Sequence, residues 1–181
     1  TGSRPRRAAP KCAALVSVYH KLAPAQHIVD RFLEGYGWEG RHHRPPVQVV
    51  SVYVDQARPR PTQPQEGDRW DLAAERADRF PHLRVYPTIA DALTLGGSRL
   101  AVDGVLLIGE HGEYPVNERG QTLWPRYQFF RQMVSVFRAS GRAVPVFCDK
   151  HLSWNFDWAR EMVQASAELG FPLLAGSSLP V

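Results

Sequence analysis

About six short apolar runs recur along this chain, each separated from the next by a segment of helical periodicity, and that alternation restricts the fold more than any other feature. The runs are residues 13–19, 47–54, 83–86, 102–108, 144–148 and 173–176. Residues 47–54 are almost continuously apolar and β-branched, the composition of a strand buried on both faces rather than one. Between the runs, 24–34 places Ile28, Phe32 and Leu33 beside Asp30, Arg31 and Glu34, with Pro24 suited to a first helical turn. Residues 72–80 and 156–169 are also amphipathic, and 88–95 opens on Thr88, a good N-cap. Residues 125–140 carry Phe129, Phe130, Met133, Val136 and Phe137 on one stripe. The glycine- and proline-containing stretch 35–46 is expected to be a long loop, and the proline-rich 56–67 a surface excursion. Strand–helix alternation with right-handed crossovers predicts an α/β, doubly wound, mainly parallel sheet of about six strands with helices on both faces, Rossmann-like. The 102–108 strand should lie beside the 13–19 strand.

A chain of 181 residues fits one such domain. We expect a flexible tail over residues 1–11 and a Rossmann-like nucleotide-binding domain over 12–181. The formal charge of +4 is concentrated in Arg4, Arg6, Arg7 and Lys11 of the tail and in Arg41, Arg44, Arg58 and Arg60 of loops. No basic helix face is interleaved with aromatics, so nucleic acid is not an expected partner. No apolar run approaches the roughly 20 residues of a membrane span, and no hydrophobic leader opens the sequence, so a cytoplasmic location without membrane contact is expected. Cys12 and Cys148 fall at opposite ends of such a sheet, too far apart to bridge.

In this topology the chain reverses between the first strand and the 102–108 strand, and ligands of open α/β sheets bind outside the strand ends at that point. The geometry gathers Tyr19, His20 and Lys21 from the first strand, Gly109, Glu110 and His111 from the 102–108 strand, and Asp149, Lys150 and His151 from the 144–148 strand. Asp55 ends the 47–54 strand, where an acid can accept hydrogen bonds from an adenosine ribose. The turn from residue 17 to residue 27 contains no glycine, so it lacks the tight backbone that approaches a pyrophosphate. Lys21 or His20 could meet a phosphate by charge instead. His20, Glu110, His111 and His151 are ligand types suited to zinc, but no close histidine spacing supports a metal site.

From residue 72 onward the order of elements resembles the N-terminal domain of the Gfo/Idh/MocA family of oxidoreductases. Val85-Tyr86-Pro87-Thr88 with the helix after it, and then Val102-Asp103-Gly104-Val105-Leu106-Leu107-Ile108, follow that order. The most specific stretch is Val146-Phe147-Cys148-Asp149-Lys150-His151-Leu152, which resembles the family's strand ending in Glu-Lys-Pro-Leu. His27 falls where the family often has a histidine. The resemblance implies that Lys150 is the motif lysine, a catalytic group beside nicotinamide and substrate, with Asp149 in place of the Glu and His151 in place of the Pro. It implies NAD or NADP as cofactor, held by Tyr19, His20, Lys21, Asp55, Gly109, Glu110, His111 and Asp149. Tyr19, Lys21 and Pro24 occupy the places of the family's turn glycines. The family's second domain, which supplies the substrate-facing sheet, would begin about where Val181 stands, so a second substrate or oligomerisation domain, or another chain, is an expected partner. Two readings follow. The first is the nucleotide-binding domain of an NAD(P)-dependent oxidoreductase acting on a sugar-like or polyol alcohol. The second is a repurposed Rossmann-like domain without dinucleotide binding, holding a metal ion or another small ligand at the switch point.

Overall fold

A computed structural model describes residues 8–176. The elements in chain order are β1 (Lys11–Val16), α1 (Pro24–Leu33), β2 (Tyr36–Trp38), β3 (Arg41–His43), β4 (Gln48–Val54), α2 (Ala73–Arg79), β5 (Arg84–Val85), α3 (Ile89–Thr94), β6 (Gly104–Ile108), α4 (Arg126–Ser140), β7 (Val146–Cys148), α5 (Phe156–Leu169) and β8 (Leu173–Leu174). The main sheet runs β5-β4-β1-β6-β7-β8, and every pairing in it is parallel. The expected neighbours are adjacent, with Cys12 to Val16 opposite Gly104 to Ile108.

Alternation along the strands sends successive side chains to opposite faces, and each face packs its own helices. Ala14, Val16, Val49, Val52, Leu106 and Ile108 form one core with Ala25, Val29 and Leu33 of α1 and Leu72 and Ala73 at α2. Leu15, Val105, Leu107 and Val146 form the other with Ile89 and Leu93 of α3, Phe129, Phe130, Met133, Val134 and Phe137 of α4, and Met162 of α5. The α4 stripe differs in one place from that read in the sequence: Val134 is buried, and Val136 packs only at the margin. Thr88 caps α3 as expected, its side chain accepting from the Asp91 backbone N–H.

The expected loop over 35–46 is corrected. Tyr36–Trp38 and Arg41–His43 pair as an antiparallel hairpin. Its turn residues, Glu39 and Gly40, both have left-handed φ, 48° and 69°, which matches the twist of a two-residue hairpin. Tyr36 stacks on His43 across it, ring centroids 5.6 Å apart. Of the tail expected over 1–11, residues 1–7 lie outside the described residues; Ala8, Ala9 and Pro10 are exposed, and Lys11 already belongs to β1. Among the described residues, no helix is long and apolar enough to cross a membrane.

Candidate functional site at the carboxyl ends of the central strands

Beyond β1 the chain stays tied to its neighbours. Ser17 donates its N–H to Ile108 O at 3.0 Å and its hydroxyl to Glu110 O at 2.9 Å, and Gln56 N–H reaches Ser17 O at 2.9 Å. Tyr19 does not line the rim as expected. Its ring is 1% exposed, and its hydroxyl donates to Asp30 Oδ1 of α1 at 2.6 Å. Arg76 of α2 grips the same carboxylate with Nε at 3.1 Å and Nη2 at 2.9 Å. Burial first, then the Asp30 charge, pushes the Tyr19 phenol far above its ordinary range. Tyr19 therefore joins α1 to α2 and is closed to a ligand.

His20 is half-buried, with Nδ1 2.9 Å from Lys21 O, and Lys21 is exposed. Leu22 follows with a left-handed φ of 67° and projects into solvent. Its N–H is bound by Gln26 Oε1 at 2.6 Å, and Pro24 at the start of α1 has no N–H to offer. The first turn of α1 thus presents side chains where a pyrophosphate needs bare, converging N–H groups.

Asp55 stands past the end of β4 as expected, but its carboxylate is engaged. Tyr53 Oη donates to Oδ1 and Tyr114 Oη to Oδ2, both at 2.8 Å. Burial and these bonds push the Tyr53 phenol up to about 12 and Tyr114 higher still. Tyr114 belongs to the segment after β6, and the same segment is clamped by Gln56, which donates Nε2 to Glu113 O at 2.9 Å and accepts Glu113 N–H on Oε1 at 2.8 Å. Gly112, at φ 114°, passes so close that a Cβ there would stand 2.8 Å from the Tyr114 ring, 2.9 Å from Gln56 Oε1 and 3.3 Å from Val18. The loop therefore lies across the ends of β1 and β4. The usual pose of a dinucleotide meets three obstacles here: the turn has no glycine, each Asp55 oxygen already accepts one tyrosine hydroxyl, and the segment at Gly112 packs against Val18 and Gln56.

The other half of the rim is built around Arg126, which sequence reasoning did not pick out. It opens α4 and its side chain is 0% exposed. A guanidinium at a helix N-terminus faces the positive end of the dipole, so its burial there requires acidic partners. Nη2 donates to Glu110 Oε2 at 3.1 Å, Nη1 lies 3.1 Å from His151 Nδ1, and Nε is 3.9 Å from Asp149 Oδ1. Gly109 is needed for this packing, because a Cβ on it would stand 2.5 Å from Arg126 Cγ. Lys150 Nζ is 3.4 Å from Glu110 Oε2, and its side chain is 19% exposed, so it is held against the protein rather than in bulk solvent.

Asp149 is 1% exposed, and neither carboxylate oxygen has a hydrogen-bond partner among the described residues. Burial pushes its pKa up to about 6, with Arg126 opposing. His151 is held below its ordinary value by burial and then by Arg126. His111 adopts a left-handed φ of 77° and stacks on Trp124 with centroids 6.4 Å apart; burial lowers its pKa. With His20, Gln56 and Arg58, the His111 and Trp124 rings line a cleft of about 240 Å³. The proposed metal ligands do not converge: no group of three or more His, Cys, Asp or Glu side chains suited to a metal occurs among the described residues. Cys148, near His151, is buried and its thiol is raised to about 11, mainly by burial, which leaves it protonated and unreactive at neutral pH.

No family model matches the sequence, and no curated protein matches it. Solved structures do. GenD2 from gentamicin A biosynthesis, in complex with NAD, is 18% identical with a TM-score of 0.55, over 97% of this chain and 37% of its own. A Gfo/Idh/MocA family oxidoreductase from Vibrio cholerae is 15% identical with a TM-score of 0.52, over 92% of this chain and 38% of its own. A super-repressor mutant of Gal80p from Saccharomyces cerevisiae is 13% identical with a TM-score of 0.54, over 90% and 33%. At these identities the likeness defines the fold: this is a Rossmann-type α/β domain of the kind found in dehydrogenases. The particular resemblance to the N-terminal domain of Gfo/Idh/MocA oxidoreductases holds at the level of that fold, and the chain spans under two-fifths of the length of these structures.

Proposed function

We propose that this chain is a Rossmann-like domain of oxidoreductase type that has given up dinucleotide binding in the usual pose and holds a small hydroxyl-bearing ligand, a sugar-like or polyol alcohol, at the rim formed by Lys150, Glu110 and His151. The observation that carries this reading is the turn after β1: no glycine stands between Ser17 and His27, Leu22 N–H is already bound by Gln26 Oε1, and Pro24 has no N–H, so the usual pyrophosphate cradle is missing. The rim offers complementary chemistry. Lys150 donates, Glu110 accepts, and His151, kept neutral by burial and Arg126, can take or give a proton on its ring. Buried Arg126 fixes Glu110 and His151 in place, so the groups are oriented before a ligand arrives.

A second reading is favoured by the solved structures. GenD2 is described in complex with NAD, and a biliverdin reductase from Synechocystis, at a TM-score of 0.50, with NADP+. On this reading the chain is the nucleotide-binding part of an NAD(P)-dependent oxidoreductase, and a second domain or chain supplies the rest. Lys150 would position and polarise the alcohol oxygen. The segment around Gly112 would first have to leave the ends of β1 and β4. A thermal-shift panel of polyols, sugar acids, NAD and NADP separates the two, because a ligand that binds only the folded state raises the melting point. The first reading expects a polyol or sugar acid to raise Tm in the wild type and not in Lys150→Met, with no shift from either dinucleotide. A shift from NAD or NADP alone overturns it.

A further inference from the structure

Helix α1 has more apolar surface than the sheet uses. Ala25, Val29 and Leu33 are buried in the core, whereas Pro24, Ile28 and Phe32, spaced four residues apart on the adjoining flank, are only half-buried. They line a groove of about 590 Å³ whose other walls include Tyr36 of the β2–β3 hairpin, Pro45, and Phe147 of β7. Topology opens this groove. On the α1 side of the sheet the buried helices pack over β1 and β4, while α4 and α5 serve the opposite face. Among the described residues, no helix lies over Leu174, the register partner of Phe147, and Leu174 is 65% exposed. The groove's lining contains the cations Arg31 and Lys150 and the imidazole of His27, with no Asp or Glu among the described residues of the lining, although Glu110 meets Lys150 from beside it.

We propose that this groove binds a small organic anion with an apolar body, a carboxylate carried on an aromatic or branched hydrocarbon. The body would rest on Ile28, Phe32 and Phe147, and the carboxylate would face Lys150 and Arg31. The volume is in the range of small-ligand sites, and apolar walls with a few convergent charged groups are their usual composition. Among the described residues Lys150 is ion-paired to Glu110 at 3.4 Å, and Glu110 is also held by Arg126, so the ammonium can turn to a ligand without stranding a buried charge. The inference shares Lys150 with the rim but does not rest on the reading above; dinucleotide uptake would overturn that reading and leave this one standing.

The test is calorimetric titration of the chain with phenylpropanoate, using phenylpropanol as the uncharged control. The acid should bind saturably and the alcohol about tenfold more weakly, the difference of one charge-assisted hydrogen bond. Arg31→Gln, on the helix surface, should weaken the acid by about fivefold, the upper end for an exposed pair. Lys150→Met should weaken it by about tenfold. Equal binding of acid and alcohol, no saturable binding of the acid at millimolar concentration, or affinity unchanged in both variants each overturns the proposal. Sedimentation showing a self-associated chain that the acid does not dissociate would assign the groove to a second copy and overturn it as well.

Discussion

Asp149→Asn should stabilise this protein at neutral pH and do little in acid. The folded carboxyl is raised from its ordinary value of 3.8 to about 6 by burial, with both oxygens lacking hydrogen-bond partners among the described residues. The folded state therefore binds the proton more tightly than the unfolded chain, and stability falls as pH rises between those values. Below about 3.8 the cost is absent, and above about 6 it is complete. A rise from 3.8 to about 6 corresponds to about 3 kcal/mol at pH 8, shrinking to about 1 kcal/mol near pH 4.5. The amide keeps the shape and has no charge to desolvate, and Arg126 retains Glu110 at 3.1 Å. Urea unfolding of wild type and variant at the two pH values measures the difference directly. For a domain of this length the gain at pH 8 amounts to about 6–12 °C in Tm. A variant destabilised at pH 8, and by more there than at pH 4.5, would refute the reasoning, because it would mean that the ion pair with Arg126 stabilises the carboxylate by more than burial costs it.

Tyr19→Phe removes the bond to Asp30 while keeping the ring, so it should lower stability by about 1–2 kcal/mol in chemical denaturation and leave ligand shifts at the rim unchanged. Gly109→Ala forces a methyl against Arg126 Cγ at 2.5 Å and should cost about 1–3 kcal/mol, read as a fall in Tm. Arg126→Met strands Asp149 and frees Glu110 and His151; a loss of about 3 kcal/mol or more in urea unfolding is expected, with the larger part at high pH, where Asp149 is charged. Thr88→Ala removes the cap of α3 and should cost about 1 kcal/mol, which checks the ordinary parts of the fold against the special ones.

The sheet was legible because its signal is long-range in pattern but local in chemistry. The run Gly104 to Ile108 is buried at every position, and only a central strand covered on both faces has that character. The hairpin at Tyr36–His43 escaped because its turn is Glu-Gly, and a left-handed Glu39 lacks the asparagine or aspartate that marks such turns. At the site, the rim was legible in outline, since topology alone delivers Glu110, Asp149 and Lys150 to one edge. Side-chain direction was not. Tyr19 follows a strand end, yet it turns inward because Asp30 and Arg76, remote in sequence, give its hydroxyl a buried partner. Arg126 was missed because an arginine after a proline resembles a solvated helix start. The available signal was its unfavourable position at the helix N-terminus, which calls for partners such as Glu110 and Asp149.

The central claim is that the chain's own residues have replaced the dinucleotide. Calorimetric titration with NAD and NADP at millimolar concentration, on wild type and Asp55→Ala, tests it most directly. The account predicts no saturable heat from either cofactor in either protein. Saturable binding to the wild type that Asp55→Ala weakens by about tenfold or more, the loss of one charge-assisted hydrogen bond, would show that Asp55 reaches the ribose after all and would contradict it.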